Sequence, residues 1–122
     1  MFHEDIFQRY SRQIVLKNIG LDGQRRLLDK KVVIIGLGAL GSMSAMLLAR
    51  IGVGELKIVD RDYVEIDNLH RQVLYDEEDA VNKLPKAEAA VNKLKKINSD
   101  IIIIPVVSHI SYRNIEKIVD GY

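Results

Sequence analysis

The sequence predicts an α/β fold, a Rossmann-like three-layer half of the form βαβαβ with a parallel sheet of strand order 3-2-1. An apolar run at 32–35 precedes a glycine pattern at 36–41, and a helical run rich in small residues follows. A second apolar run ends at Asp60, and an amphipathic stripe at 87–97 leads to a third apolar run at 101–107. Strands that alternate with helical runs favour parallel pairing through right-handed crossovers.

Two regions are predicted along the chain, an N-terminal helical arm at 1–30 and a nucleotide-binding half at 31–122. The arm contains two short helical stretches within 6–28. The arm either only covers the sheet or also contributes a functional residue, Arg12. The polar segment at 61–78 has no clean period, but its hydrophobic anchors favour an ordered loop.

Three further positions refine this fold. Pro85 is expected in the first turn of a helix, and Ser111 is expected to cap a last short helix through Val119. Pro105 cannot donate to a strand ladder, so the third strand belongs at a sheet edge. The apolar strand 31–35 then forms the other edge. We expect a partner, a swapped segment or a further part of a longer protein to cover it.

The composition excludes several classes of function. A formal net charge of +1 argues against a strongly basic surface for nucleic acid or membrane. The sequence has no cysteine, so disulfides, thiolate nucleophiles and Cys-ligated zinc are not possible within it. No apolar run approaches about 20 residues, and the acidic N-terminus does not resemble a secretory signal. We therefore expect a cytoplasmic protein.

The glycine pattern predicts a site for a nucleotide phosphate. Gly36, Gly38 and Gly41 stand between a strand and a helix, where glycines allow a tight turn and the helix N-terminus attracts an anion. Asp60, at the end of the next strand, could accept hydrogen bonds from a ribose. By itself this pattern points to NAD(P) or FAD. Gly41 could also serve only the close packing of helix on strand.

Two cations beyond the turn shift the prediction towards ATP. Arg71 follows shortly after Asn68, and Lys86 stands at the start of the next helix. Two cations suit a triphosphate better than a pyrophosphate, because more negative charge needs to be neutralised. On spacing alone, either cation could instead be ordinary surface charge.

Five motifs in order carry a resemblance to a known family. They are Arg9-Tyr10-Ser11-Arg12-Gln13-Ile14, the glycine turn, Asp60-Arg61-Asp62-Tyr63-Val64-Glu65, Asn68-Leu69-His70-Arg71-Gln72 and Pro85-Lys86-Ala87. Over about residues 7–120, the sequence resembles the ThiF/MoeB/HesA family, the relatives of ubiquitin-activating enzymes. The combination of motifs is highly specific, although each motif alone is not.

The resemblance implies an enzyme that binds ATP and magnesium and adenylates the C-terminal glycine carboxylate of a ubiquitin-like or sulfur-carrier protein. It implies catalytic roles for Arg71, Lys86 and Arg12, with Arg12 entering the site of a neighbouring subunit in a homodimer. It implies that Asp60 holds the ribose and that Asp62 orders the loop. The nucleotide contacts that it implies are made by Gly36, Gly38, Ala39, Gly41, Asp60, Asp62, Asn68, Arg71, Gln72 and Lys86.

Three departures from the family pattern affect these expectations. Ala39 replaces a third glycine of the turn. The segment 80–84 lacks the glycine common before the phosphate lysine, which leaves Lys83 as an alternative to the favoured Lys86. The family's magnesium aspartate and its Cys-x-x-Cys zinc motifs would lie beyond Tyr122. We therefore expect no metal ligands in these residues and no adenylation by this chain alone.

Two alternatives remain open at this point. One is an NAD(P)-binding Rossmann domain of an oxidoreductase, and the other is a non-enzymatic dimerisation module. The sequence does not select among thiamine, molybdopterin, tRNA thiolation and protein modification as the pathway, nor does it identify the carrier protein.

Overall fold

The structure is a computed structural model that describes the backbone of residues 2–122 and the side chains of residues 8–122. The chain begins with two helices, α1 (Phe2–Ile14) and α2 (Gly20–Leu28). The two helical stretches predicted within 6–28 are thus present, and residues 15–19 separate them. No helix among the described residues is long and apolar enough to cross a membrane.

Three parallel strands form the sheet. They are β1 (Lys31–Ile35), β2 (Glu55–Asp60) and β3 (Ile102–Val107), and β2 pairs with both neighbours. The predicted strand order and the edge position of Pro105 are confirmed. Within the described sheet β1 is the other edge, and its last residue, Ile35, is 49% exposed.

Two helices pack against one face of the sheet and contact each other, α3 (Ala39–Ile51) and α5 (Lys86–Ile97). Because both crossovers run in the same direction along the sheet, their helices lie on the same side. Small residues let α3 approach closely. The buried core between the layers includes Leu37, Ala45, Ala49, Leu56, Ile58, Ala87, Ala90, Leu94 and Ile103.

The C-terminal segment contacts the second face of the sheet. It contains α6 (Ile115–Val119). Lys57 on β2 donates a hydrogen bond from Nζ to the Ile118 carbonyl at 2.9 Å. The same ammonium lies 4.3 Å from the centre of the Tyr122 ring. These contacts add a third, small layer to the fold.

The arm packs where the strands begin. The side-chain amides of Gln13 and Gln24 donate to the Ile51 carbonyl, at 2.7 and 3.1 Å, at the C-terminus of α3. The Tyr10 hydroxyl accepts a hydrogen bond from the Asn98 amide at 2.8 Å, just after α5. The arm therefore caps the end of the sheet that is opposite to the carboxyl ends of the strands.

The segment after β2 is ordered, as predicted, but it is more helical than the sequence indicated. It contains a 3₁₀ turn (Ile66–Asn68) and an unpredicted helix, α4 (Glu77–Val81). Asp76 and Asp79 form a reciprocal capping box at the start of α4, which satisfies two backbone N–H groups.

Two predicted helix starts are displaced. Pro85 is the residue before α5 and not a member of its first turn. The last helix begins at Ile115, and Ser111 lies in the turn before it, where its hydroxyl accepts a hydrogen bond from the Arg113 N–H at 3.2 Å. In the same turn, the Asn114 side-chain oxygen accepts a hydrogen bond from the Ser111 N–H at 2.8 Å.

Candidate nucleotide-binding site

Two adjoining clefts open at the carboxyl ends of the strands, where open α/β sheets bind their ligands. The first has a volume of about 290 Å³ and is lined by Ile35, Gly36, Val59, Asp60, Arg61, Asp62, Ser108, His109 and Ile110. The second has a volume of about 350 Å³ and is lined by Asp62, Tyr63, Glu65, Asn68, Arg71, Gln72 and Lys86. Asp62 belongs to both clefts, so a ligand could extend from one into the other.

The glycine turn borders the first cleft. Gly36 has a φ of +95°, in the left-handed region that favours glycine. Gly38 immediately precedes α3, and Ala39 is the first residue of that helix. Ser42 donates its N–H to the Gly38 carbonyl at 3.0 Å. The N–H groups before Ser42 belong to the helix terminus, where intrahelical acceptors are lacking and an anion can bind.

Gly41 has a packing role in this turn. A Cβ atom built on Gly41 would lie 1.8 Å from the Gly36 carbonyl oxygen. Such a distance is impossible for real atoms, so α3 can approach the turn only with glycine at this position. The alternative of close packing is the one that this geometry supports for Gly41. Gly38, Ala39 and Gly41 line neither cleft, but a Cβ atom built on Gly38 would lie 3.9 Å from the amide nitrogen of Gln72, which lines the second cleft.

The peptide groups of Leu37 are held on both sides. Its N–H donates to one carboxylate oxygen of Asp60 at 2.7 Å. Its carbonyl accepts hydrogen bonds from the Ser42 hydroxyl at 3.0 Å and from the Tyr75 hydroxyl at 2.6 Å. Burial raises the pKa of Tyr75 well above its ordinary value, so this hydroxyl stays protonated and remains a donor.

Asp60 joins the glycine turn to the loop that follows β2. Its second carboxylate oxygen accepts a hydrogen bond from the Asp62 N–H at 2.7 Å. The Asp62 carbonyl accepts from the Lys86 N–H at 2.9 Å, while the Asp62 carboxylate is exposed, with Arg61 Nε at 3.8 Å. The contacts of Asp62 that order the loop are therefore made by its backbone.

Lys86 is the most unusual side chain of the second cleft. It is only 6% exposed, although lysine is almost never buried without a partner. Among the described residues, no hydrogen bond or ion pair involves its ammonium group. Lys83, the alternative candidate for the phosphate-binding lysine, is exposed and lines neither cleft. Of the two lysines, Lys86 is the one in the cleft.

Three residues of the Asn68–Gln72 motif surround the same cleft. Gln72 is 4% exposed, and its side-chain oxygen has no hydrogen-bond partner among the described residues. Asn68 is buried and accepts from the Glu65 N–H at 2.9 Å. Arg71 is exposed at the cleft and donates to the Asp67 carbonyl at 2.6 Å. Two cations and two amides thus converge here, a donor set that suits phosphate oxygens.

Arg12 is not brought to this site within the chain. It is exposed on α1 and lines neither cleft. The arm packs at the opposite end of the sheet, so Arg12 lies away from both clefts of its own chain.

Carboxylates at the clefts are few. Among the described residues, no group of three or more His, Asp or Glu side chains is placed to hold a metal ion. Both oxygens of Asp60 already accept backbone hydrogen bonds, which leaves Asp62 as the exposed carboxylate shared by the two clefts.

Sequence reasoning missed three polar residues behind the clefts and at their rim. Tyr75 and Ser42 bond the Leu37 carbonyl, and His109 Nδ1 lies 3.3 Å from the Arg61 guanidinium. Ser42 directly follows the last glycine of the turn, which is a usable local signal. Tyr75 gives no such signal, because its contact spans 38 positions of sequence.

A comparison with protein families decides the ancestry of the chain. The model of the ThiF family matches residues 10–122. The chain belongs to the ThiF family. The fold and the resemblance predicted from the motifs are confirmed.

Curated relatives of this ThiF-family chain are adenylyltransferases or activating enzymes by name. The chain is 49% identical over 111 residues to a sulfur carrier protein ThiS adenylyltransferase of Bacillus subtilis, covering 91% of this chain and 33% of the relative. It is 42% identical to a SAMP-activating enzyme E1 of Haloferax volcanii, covering 93% and 41%. It is 46% identical to the molybdopterin-synthase adenylyltransferase of Escherichia coli, covering 80% and 39%. The chain therefore spans well under half the length of these relatives.

Solved structures of similar fold include nucleotide complexes. E. coli MccB with ATP superimposes with a TM-score of 0.79 at 34% identity, covering 89% of this chain and 33% of MccB. E. coli TcdA, a tRNA N6-threonylcarbamoyladenosine dehydratase in complex with AMP, gives a TM-score of 0.87 at 26% identity, covering 95% of this chain and 46% of TcdA.

Proposed function

We propose that this chain forms the ATP-binding part of an enzyme that adenylates the C-terminal carboxylate of a ubiquitin-like or sulfur-carrier protein. The observation that carries the proposal is Lys86, whose side chain is largely buried and whose ammonium has no hydrogen-bond or ion-pair partner among the described residues, in the second cleft together with Arg71. Two cations that line one cleft are placed to bind an anionic ligand.

The chemistry needs cations at this position. In adenylation, a carboxylate oxygen attacks the α-phosphorus of ATP, the bond to the bridging oxygen of the β-phosphate breaks, and pyrophosphate leaves with the electron pair. Two anions must approach each other, and charge moves towards the leaving group. Lys86 and Arg71 would offset that charge without moving. The carboxylate is itself the nucleophile, so the step needs no serine or cysteine.

The remaining motif residues would bind the ends of the nucleotide. The first cleft would take the nucleoside, with Asp60 at the ribose. The second would take the phosphates, with Asn68, Gln72 and the helix N-terminus as donors. Magnesium that accompanies ATP would be held largely by phosphate and water oxygens, with one or two carboxylates from the protein. That the 122 residues alone do not catalyse adenylation stays a prediction.

The NAD(P) alternative has less support. A pyrophosphate bound by the glycine turn would leave the Lys86 ammonium in the second cleft without an anion. The curated relatives named above are adenylyltransferases and an activating enzyme and not dehydrogenases. A non-enzymatic dimerisation module would likewise have no use for two cations that line one cleft.

We further propose a homodimer in which Arg12 of one copy reaches the nucleotide of the other. The support is the exposure of Arg12 on an arm that packs away from the clefts of its own chain. Mixing two inactive variants of the full-length protein, Arg12→Ala and Lys86→Met, tests this. Exchange of subunits should restore ATP–pyrophosphate exchange with a carrier protein present, because a mixed dimer contains one intact site. Failure to regain activity after verified subunit exchange would count against action between subunits.

The adenylation itself is tested in the same assay with the full-length protein without substitutions. Exchange of labelled pyrophosphate into ATP should require a carrier protein with a free C-terminal carboxylate. A carrier amidated at its C-terminus is the matched control and should give none. Equal exchange with both carriers would contradict the proposed reaction.

A further inference from the structure

Behind the glycine turn lies a buried tyrosine to which neither the motifs nor the proposed chemistry assigns a role. Tyr75 is 7% exposed, and its hydroxyl donates to the Leu37 carbonyl at 2.6 Å. Ser42 is fully buried and donates to the same oxygen at 3.0 Å. A carbonyl oxygen has two lone pairs, so these two donors occupy its full accepting capacity.

The direction of this carbonyl determines the direction of a donor in the turn. The Leu37 carbonyl and the Gly38 N–H belong to one peptide unit, and the chain has no cis peptide bond in its described part. In a planar trans unit, C=O and N–H point in opposite directions. Because the carbonyl is drawn into the core, the Gly38 N–H points away from the core, at the start of α3.

We propose that Tyr75 is a positioning residue for phosphate binding, which holds the Leu37 carbonyl inward together with Ser42 and so aims the Gly38 N–H at a bound phosphate. This inference rests on the proposed ATP site. A third hydrogen bond, from the Leu37 N–H to the Asp60 carboxylate, also holds Leu37. The peptide unit on each side of Leu37 therefore has a single orientation before the ligand arrives, which lowers the entropy lost on binding.

The substitution Tyr75→Phe tests this role in the full chain. It removes the hydroxyl and keeps the aromatic ring in the core. Loss of one hydrogen bond to the turn is expected to weaken ATP binding by about threefold to tenfold. Adenosine has no phosphate, so its affinity should stay unchanged. Isothermal titration of both ligands measures the difference, which a general loss of structure would not produce.

Two further variants make the test specific. Tyr10→Phe is the matched control, since Tyr10 is a buried tyrosine with a hydrogen-bonded hydroxyl at the other end of the sheet. It should change the affinity for neither ligand. Ser42→Ala removes the second donor to the Leu37 carbonyl and should weaken ATP binding in the same selective way. It also provides the test if Tyr75→Phe does not fold.

The outcomes separate this inference from the proposed function. Selective loss of ATP affinity in Tyr75→Phe supports the inference, as does the same loss in Ser42→Ala if Tyr75→Phe does not fold. A folded Tyr75→Phe with unchanged ATP affinity, or an equal loss for ATP and adenosine, overturns it and leaves the ATP site intact. An unaltered chain that binds no ATP would overturn the proposed function and this inference with it.

Discussion

The Asp60 carboxylate and the Leu37 N–H are joined by a hydrogen bond of 2.7 Å, which ties the end of β2 to the glycine turn. The other carboxylate oxygen accepts from the Asp62 N–H. Asp60 is therefore a structural acceptor for two backbone groups before any ribose is bound. This explains why an acid is needed at the end of β2 even without a ligand.

Asp60→Asn is expected to destabilise the fold by about 1–3 kcal/mol. An asparagine side chain has one acceptor oxygen, so its amide nitrogen would face one of the two N–H donors. Asp62→Asn is the matched control, because the Asp62 carboxylate is exposed with one loose contact at 3.8 Å. It should change the free energy of unfolding by less than about 0.5 kcal/mol. Urea denaturation measures both, and equal values for the two variants would contradict the two-donor role.

Lys86→Met should weaken ATP binding by about tenfold or more, since a charge-assisted contact to phosphate is lost. It should also leave the melting temperature unchanged or raise it, because methionine of similar length keeps the packing of the side-chain stem and removes a charge that has no partner among the described residues. Lys83→Met, at an exposed position outside both clefts, is the control and should change neither quantity. Wild-type ATP affinity in Lys86→Met would exclude a phosphate role for this lysine.

The sequence predicted the central part of the fold because local signals agree there. Glycines at 36–41 and at 52 and 54 mark both ends of α3, and apolar runs mark β1 and β2. The unpredicted α4 begins at a capping box formed by Asp76 and Asp79. In an acidic stretch, such a cap is hard to distinguish from an ordinary polar loop.

The candidate site was predicted in its residue types but not in its burial. Spacing alone left Lys86 as possible surface charge, because lysine is rarely buried. Its burial arises from long-range packing of α5 against the loop after β2. The same holds for Tyr75, whose partner Leu37 lies 38 positions away. No periodicity encodes such a contact.

Gly41→Ala is expected to destabilise the protein by about 3 kcal/mol, at the upper end of the effect of overpacking. The added Cβ would overlap the Gly36 carbonyl, which is backbone and cannot rotate away. Gly38→Ala is the control within the same turn, because the nearest atom to its added Cβ is 3.9 Å away. Thermal unfolding followed by circular dichroism compares them. Equal melting temperatures would show that the turn relaxes easily.

Lys83→Gly is expected to stabilise the protein by up to about 1 kcal/mol. Lys83 has a φ of +49°, and the left-handed conformation costs about 1–2 kcal/mol for a residue with a Cβ. The greater freedom of glycine in the unfolded chain offsets part of this gain. Lys83→Ala retains the Cβ and should give no gain. If alanine stabilised the protein as much as glycine, backbone strain at this position would not be the cause.

The most direct test of the account compares two nucleotides on one chain. ATP with Mg²⁺ and NADH are titrated separately into the unaltered protein, and the two dissociation constants are compared. Two adjoining clefts with the unpaired Lys86 in the second predict tighter binding of ATP. Tighter binding of NADH than of ATP would contradict the proposed ATP site.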